Sequence, residues 1–148
     1  MFAAIRPDDW DFPLFLHVLG AMLLVAGLLT GGTALAIARG QVRLLRLGYF
    51  SLLALALPGW IIMRAGAEWI YDKEGFTGDD DPAWLGIGFI ISEAGGVLLL
   101  IGLILGAFGV RRVGRGGGSG LLTATGVLAL IALVGYLVAV WAMGGKPD

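Results

Sequence analysis

Residues 120–144 read GLLTATGVLALIALVGYLVAVWAMG, twenty-five consecutive positions without an acid, a base or a histidine. A helix needs about 20 predominantly apolar residues to cross a hydrocarbon layer about 30 Å thick. A helix on a soluble protein keeps a polar stripe opposite its buried face. This segment has no such stripe, so it reads as a membrane span.

Working outward, residues 12–38 carry no charge, with His17 the one ionisable group. Residues 47–71 form a second apolar run that includes Arg64 and Glu68, and residues 82–110 a third that includes Glu93. The composition agrees: 58% of the 148 residues are hydrophobic and 14% charged, against roughly a quarter charged in soluble domains. The expected fold is all-α, a single four-transmembrane-helix bundle. The first run is read as a retained span, not a cleaved signal peptide, because its leader MFAAIRPDDWD is acidic and the run is long.

The connections sharpen the cuts. Residues 39–46 read as a short basic turn, 72–81 as an acidic loop, and 111–118 as a basic, glycine-rich turn. Asp81 followed by Pro82 is a helix-start signal, and Asp11 before Phe12 and Pro13 is a second. Lys- and Arg-rich short loops stay in the cytoplasm. Arg39, Arg43 and Arg46, and Arg111, Arg112 and Arg115, therefore place the first and third connections inside. Both termini and the acidic central loop are expected outside. Trp10, Trp69, Trp84 and Trp141 fall at that same outer level, as an interfacial aromatic belt requires. The Arg-rich basic set and the abundance of Ala, Gly and Leu suit a bacterial cytoplasmic (inner) membrane.

Lipid gives helices no hydrophobic reason to associate, so close contact falls to small residues and polar bridges. Gly88, Ser92, Gly95, Gly102, Gly106 and Gly109 share one stripe of the third span; Gly20, Gly27, Gly31 and Ala34 share one stripe of the first. Both are expected to be buried helix-packing grooves, with Gly117 in the third connection free to accept a side chain. Pro58-Gly59 lies mid-way along the second span, where proline removes a backbone donor and kinks a helix.

Ionisable groups at membrane depth are functional hypotheses by default. His17, Arg64 and Glu93 sit on three different spans at comparable depth. Counted at about 1.5 Å per residue, they lie roughly 8, 10 and 14 Å inward of Phe12, Tyr71 and Trp84. An Arg64–Glu93 pair is geometrically reasonable; the competing arrangement has Arg64 snorkel outward to Glu68, one turn nearer the surface. His17 reads as a packing histidine on the buried face of the first span.

Other chemistries find little support. The chain has no cysteine, which excludes disulfides, thiolate metal sites and covalent c-type haem. A bis-imidazole haem needs two histidines, and there is one. Met22 and Met63 make a poor soft-metal cluster with His17. The acidic loop lacks the alternating ligands of a calcium loop, and GRGGGSG lacks the Lys-Ser/Thr end of a P-loop. No nucleophile–base arrangement appears, so no catalytic residue, metal or cofactor is assigned, and the net charge of −1 suggests no nucleic-acid partner.

The segment Phe15-Leu16-His17-Val18-Leu19-Gly20-Ala21, followed by Gly27 and by Pro58-Gly59 in the second span, resembles a family of small, uncharacterised bacterial four-helix integral membrane proteins. That resemblance implies the four-helix layout and no known activity. The Leu-His opening is also distantly similar to copper-resistance D-type membrane proteins, from which this chain departs by its fewer helices and its lack of further histidines and methionines.

The sequence thus supports a non-enzymatic membrane protein, structural or accessory, or a subunit of a homo- or hetero-oligomer in the lipid bilayer. The alternative is a small transporter or proton/ion-coupled carrier using His17, Arg64 and Glu93.

Overall fold

The computed structural model describes residues 11–74 and 83–145. Trp10, the Asp81 and Pro82 start signal and most of the acidic loop lie outside the described residues. The elements are α1 (Asp11–Ile37), α2 (Val42–Ser51), a π-helical turn (Leu52–Ala56), α3 (Leu57–Glu74), α4 (Ala83–Gly114) and α5 (Gly120–Gly145). The segment from α2 to α3 forms one rod, so among the described residues four helices are long and apolar enough to cross a membrane. The chain is an all-helical, multi-pass membrane protein.

The basic connections are shorter than the charges suggested. Arg43 and Arg46 lie within α2, and Arg111 and Arg112 within the last turn of α4. Backbone hydrogen bonding does not stop where the hydrocarbon stops, so a helix runs on through its charged flank. The first turn is closed by Gln41 N–H donating to Ala38 C=O; Arg39 and Gly40 there take positive φ of 48° and 83°. At the end of α4, Gly117 N–H reaches Arg112 C=O and Gly116 N–H reaches Val113 C=O. With Gly116 at φ 81°, this is a Schellman cap. It corrects the expectation for Gly117, because a Cβ there would lie 2.6 Å from Arg112 Cγ and 2.9 Å from its carbonyl oxygen.

Pro58 cannot donate to the carbonyl of Ala54, and its ring crowds that turn. The ladder widens just upstream, where Leu57 N–H bonds Leu52 C=O five residues back. A π-bulge is one of the few ways a helix absorbs such a defect.

Around the bundle, α1 packs against α2 and α3 on one side and α5 on the other; α4 packs mainly on α5 and only sparsely on α2 and α3. The seams use glycine in two ways. Along α1, Gly20 faces the backbone of Met63 and Gly59, and a Cβ on Gly27 would lie 2.5 Å from Ala56 N. Gly59 and Gly66 answer from α3 against the α1 backbone at Leu24 and His17. Here main chain meets main chain. Along α4, the glycines instead receive rings: Gly95 the Tyr136 ring, Gly96 the Trp60 indole and Gly106 the Tyr49 ring. Each ring also donates to an α4 carbonyl, Tyr49 Oη to Leu103 (3.0 Å) and both Trp60 Nε1 and Tyr136 Oη to Ser92 (3.1 Å each). Buried Thr125 adds a fourth such bond from α5, to Gly102 C=O at 3.0 Å.

All the glycines singled out on the two stripes, Gly20, Gly27, Gly31, Gly88, Gly95, Gly102, Gly106 and Gly109, are buried, as are Ser92 and Ala34. The core is leucine-rich, with Leu24, Leu28, Leu35, Leu45, Leu52 and Leu122 almost completely enclosed. The outer surface carries Phe12, Met22, Ile90, Ile104, Val134 and Trp141, all more than half exposed. That apolar outside is the face a bilayer covers.

Candidate functional site

α3 brings Arg64 to the edge that faces α4, four residues beyond Trp60 and one turn before Glu68. Its Nη2 lies 2.8 Å from Glu68 Oε1 on its own helix and 2.6 Å from Glu93 Oε1 on α4. The two arrangements weighed from sequence are therefore not exclusive. One guanidinium nitrogen serves both carboxylates and ties α3 to α4, a helix it otherwise touches sparsely. The guanidinium also stands over the Phe89 ring, 5.1 Å from its centroid, and Phe89 meets Tyr71 edge-on at 5.5 Å.

The burial is uneven. The Arg64 side chain is 20% exposed, whereas those of Glu68 and Glu93 are 56% and 58% exposed. The carboxylates lie on the outer side of the α3–α4 seam and the cation sits behind them. One positive charge thus faces two negative ones at the level of the apolar spans.

His17 is not in contact with these carboxylates. Its Nδ1 lies 3.1 Å from the carbonyl of Met63, the residue before Arg64, where Gly66 lets α1 come close. That bond holds the imidazole against α3. Among the described residues no group of three or more His, Asp or Glu side chains could hold a metal ion.

Behind Arg64 the bundle is hollow. A cavity of about 840 Å³ is bounded by all four spans in the half that carries the chain termini. Its wall is mainly aliphatic and aromatic; His17, Arg64, Ser92 and Tyr136 supply most of its polar groups. Val18 and Met22 on α1 and Leu137 and Val140 on α5 line it and are also exposed, by 47%, 65%, 52% and 55%. The cavity therefore opens sideways between α1 and α5. Those helices are held together nearer the other end, where Gly32 meets Leu130 and Gly126 meets Leu35.

On two residues that line this cavity, Arg64 and Ser92, one polar atom each, Nη1 and Oγ, is enclosed and has no hydrogen-bond partner among the described residues. Ser92 is 7% exposed. A serine in a helix commonly back-bonds to the carbonyl four residues earlier, and Ser92 does not.

Sequence reasoning from charge alone passed over Trp60 and Tyr136, whose bonds to Ser92 frame this wall. A signal was present: Trp60 is the one tryptophan away from the span ends, and Tyr136 interrupts an otherwise apolar run. Buried Trp and Tyr usually find a partner for their polar tip. Compared with known proteins, the chain matches no family model, no curated protein and no solved structure.

Proposed function

We propose that this protein is a small proton- or cation-coupled membrane carrier whose coupling group is the Arg64–Glu68–Glu93 cluster. The observation that carries this reading is the second carboxylate. A structural tie between two helices needs one acid for one base. The extra negative charge, at membrane depth, is costly unless a proton or a small cation neutralises it. His17 then acts on the cluster through the Met63 main chain. In this reading the chain sits in a bacterial cytoplasmic membrane and does no bond-making chemistry, and both termini and the cluster's end of the bundle face outward, following the loop charges.

The test is infrared titration of the reconstituted protein, following the carbonyl stretch of a protonated carboxyl. The wild type should show a band that titrates, and Glu93→Gln should remove or shift it while the protein stays folded. Complementation of a deletion strain gives the cellular arm, in which folded Glu93→Gln should fail.

One observation favours a structural or oligomeric subunit instead. The cluster bridges a sparsely packed seam of the bundle, and its carboxylates face the bilayer side, where a second copy or another membrane protein would meet them. A folded Glu93→Gln protein that complements fully, with no titrating band in the wild type, supports that reading over the carrier.

A further inference from the structure

We infer that the cavity beside Arg64 is a binding site for a neutral, lipid-soluble molecule with a carbonyl head, entering from the bilayer between α1 and α5. This inference does not depend on the ionic cluster taking up a proton or a cation.

Size and polarity set the class. Sites for small molecules span about 300–1,000 Å³, are mostly apolar and carry a few convergent polar groups. The volume of about 840 Å³ and the predominantly aliphatic and aromatic wall fit an apolar body. The portal residues Val18, Met22, Leu137 and Val140 face the bilayer side, so the route of entry is from lipid and not from water.

The polar groups select the head. Buried donors without partners are expensive and rare, and two residues of this wall each hold one among the described residues, Arg64 Nη1 and Ser92 Oγ, enclosed beside the cavity. The Ser92 carbonyl is already taken by Trp60 and Tyr136, so the hydroxyl is what that residue has left to offer. Both groups ask for an acceptor. An anionic head is disfavoured, because Arg64 is already faced by Glu68 and Glu93 at 2.8 and 2.6 Å. A cationic head is disfavoured too: Glu68 and Glu93 are not part of the cavity wall, whereas Arg64 is. A neutral acceptor remains. A carbonyl is the strong neutral acceptor common among membrane-soluble molecules, and it occurs there as a quinone or as an acyl ester. The Tyr136, Phe89 and Trp84 rings on the wall suit either.

Ser92→Ala separates a ligand group from a structural one. It removes an orphaned hydroxyl, so the ligand-free protein should be as stable as wild type or slightly more so. One hydrogen bond to the ligand is worth about a factor of ten in affinity. The probes are a short-chain quinone, followed by quenching of the tryptophans around the cavity, and diacylglycerol as competitor, both with purified protein in detergent. Saturable quenching that weakens about tenfold in Ser92→Ala is expected. A second variant, Ala139→Phe, places a ring on a half-buried wall position and should abolish binding with the helical content kept.

If diacylglycerol displaces the quinone at comparable concentration, the carbonyl is that of an acyl ester; if it does not, the quinone is the better match. The inference is overturned if neither probe saturates, or if both variants bind as wild type does. A wild type that binds the quinone but shows no titrating infrared carboxyl band would sink the carrier reading alone.

Discussion

Gly27→Ala should loosen the bundle and Gly102→Ala should not, although both glycines lie in the packing stripes and are fully buried. At Gly27 an added Cβ would sit 2.5 Å from Ala56 N and 2.9 Å from its Cα, atoms of a main chain fixed by the π-helical turn. Restoring a contact distance of about 3.5 Å requires the two helices to part by roughly 1 Å. A buried leucine makes some 40–60 atom contacts of about 0.1–0.2 kcal/mol each, and a 0.5–1 Å gap forfeits a quarter to a half of such wells. Taken over half of the contacts of two such leucines, the loss comes to about 2–4 kcal/mol. The better helix propensity of alanine offsets roughly 0.5–1 kcal/mol. At Gly102 the nearest atom to an added Cβ is Thr125 Cγ2 at 3.5 Å, an ordinary contact, so the methyl fills space and stability should hold or rise by up to about 1 kcal/mol. The assay is unfolding by increasing mole fraction of a denaturing detergent, followed by circular dichroism. Equal shifts for the two variants, or a wild-type midpoint for Gly27→Ala, would refute the distinction between main-chain and side-chain seams.

Arg64→Ala should be clearly less stable than Arg64→Ala combined with Glu93→Gln, because the single change leaves two carboxylates without their cation; breaking a buried pair costs about 3–5 kcal/mol, and the exposure of both acids places this one at or below the lower end. Equal midpoints in the same titration would mean that the ion pair contributes nothing. Tyr49→Phe and Tyr136→Phe should each cost about 0.6–1 kcal/mol, the range for a hydrogen bond between membrane helices, and the loss should appear as weaker α4 docking in cross-linking of α2 or α5 to α4. Gly86→Leu should be silent, since nothing lies within 4 Å of a Cβ there, whereas Gly117→Leu should fray the end of α4, measurable as faster amide exchange at Arg115. A reporter that fluoresces only in the cytoplasm, fused to the C-terminus, should stay dark; a bright fusion reverses the orientation inferred from the loop charges.

The spans were legible in the sequence because a membrane imposes a length and forbids charge, and both constraints are written residue by residue. The ends of the helices were less so. Arg43, Arg46, Arg111 and Arg112 mark the edge of the hydrocarbon, which is not the edge of the hydrogen-bond ladder. The glycine periodicity showed which faces are buried but not what they meet: nothing in the spacing of Gly20 and Gly27 against that of Gly95 and Gly106 tells backbone from ring. Arg64 stood out because a charge at membrane depth demands a partner. That it would take two depended on a pairing between helices that no local pattern encodes. The cavity was invisible for a related reason, since it exists where α1 and α5 diverge, and divergence belongs to the assembly and not to either segment.

The difference between the seams bears on how the molecule yields under load. Where α1 lies against α2 and α3, backbone abuts backbone at Gly20, Gly27 and Gly59, and that pair behaves as one stiff unit. α4 is joined to the same unit through Tyr49, Trp60 and Arg64, each swinging about its own side-chain bonds while its tip holds a carbonyl or a carboxylate. Such tethers let α4 tilt or slide by fractions of a turn without breaking a main-chain bond. The compliant direction of the bundle therefore runs through the wall that carries Arg64 and Ser92, and lateral pressure from the surrounding lipid is felt there first.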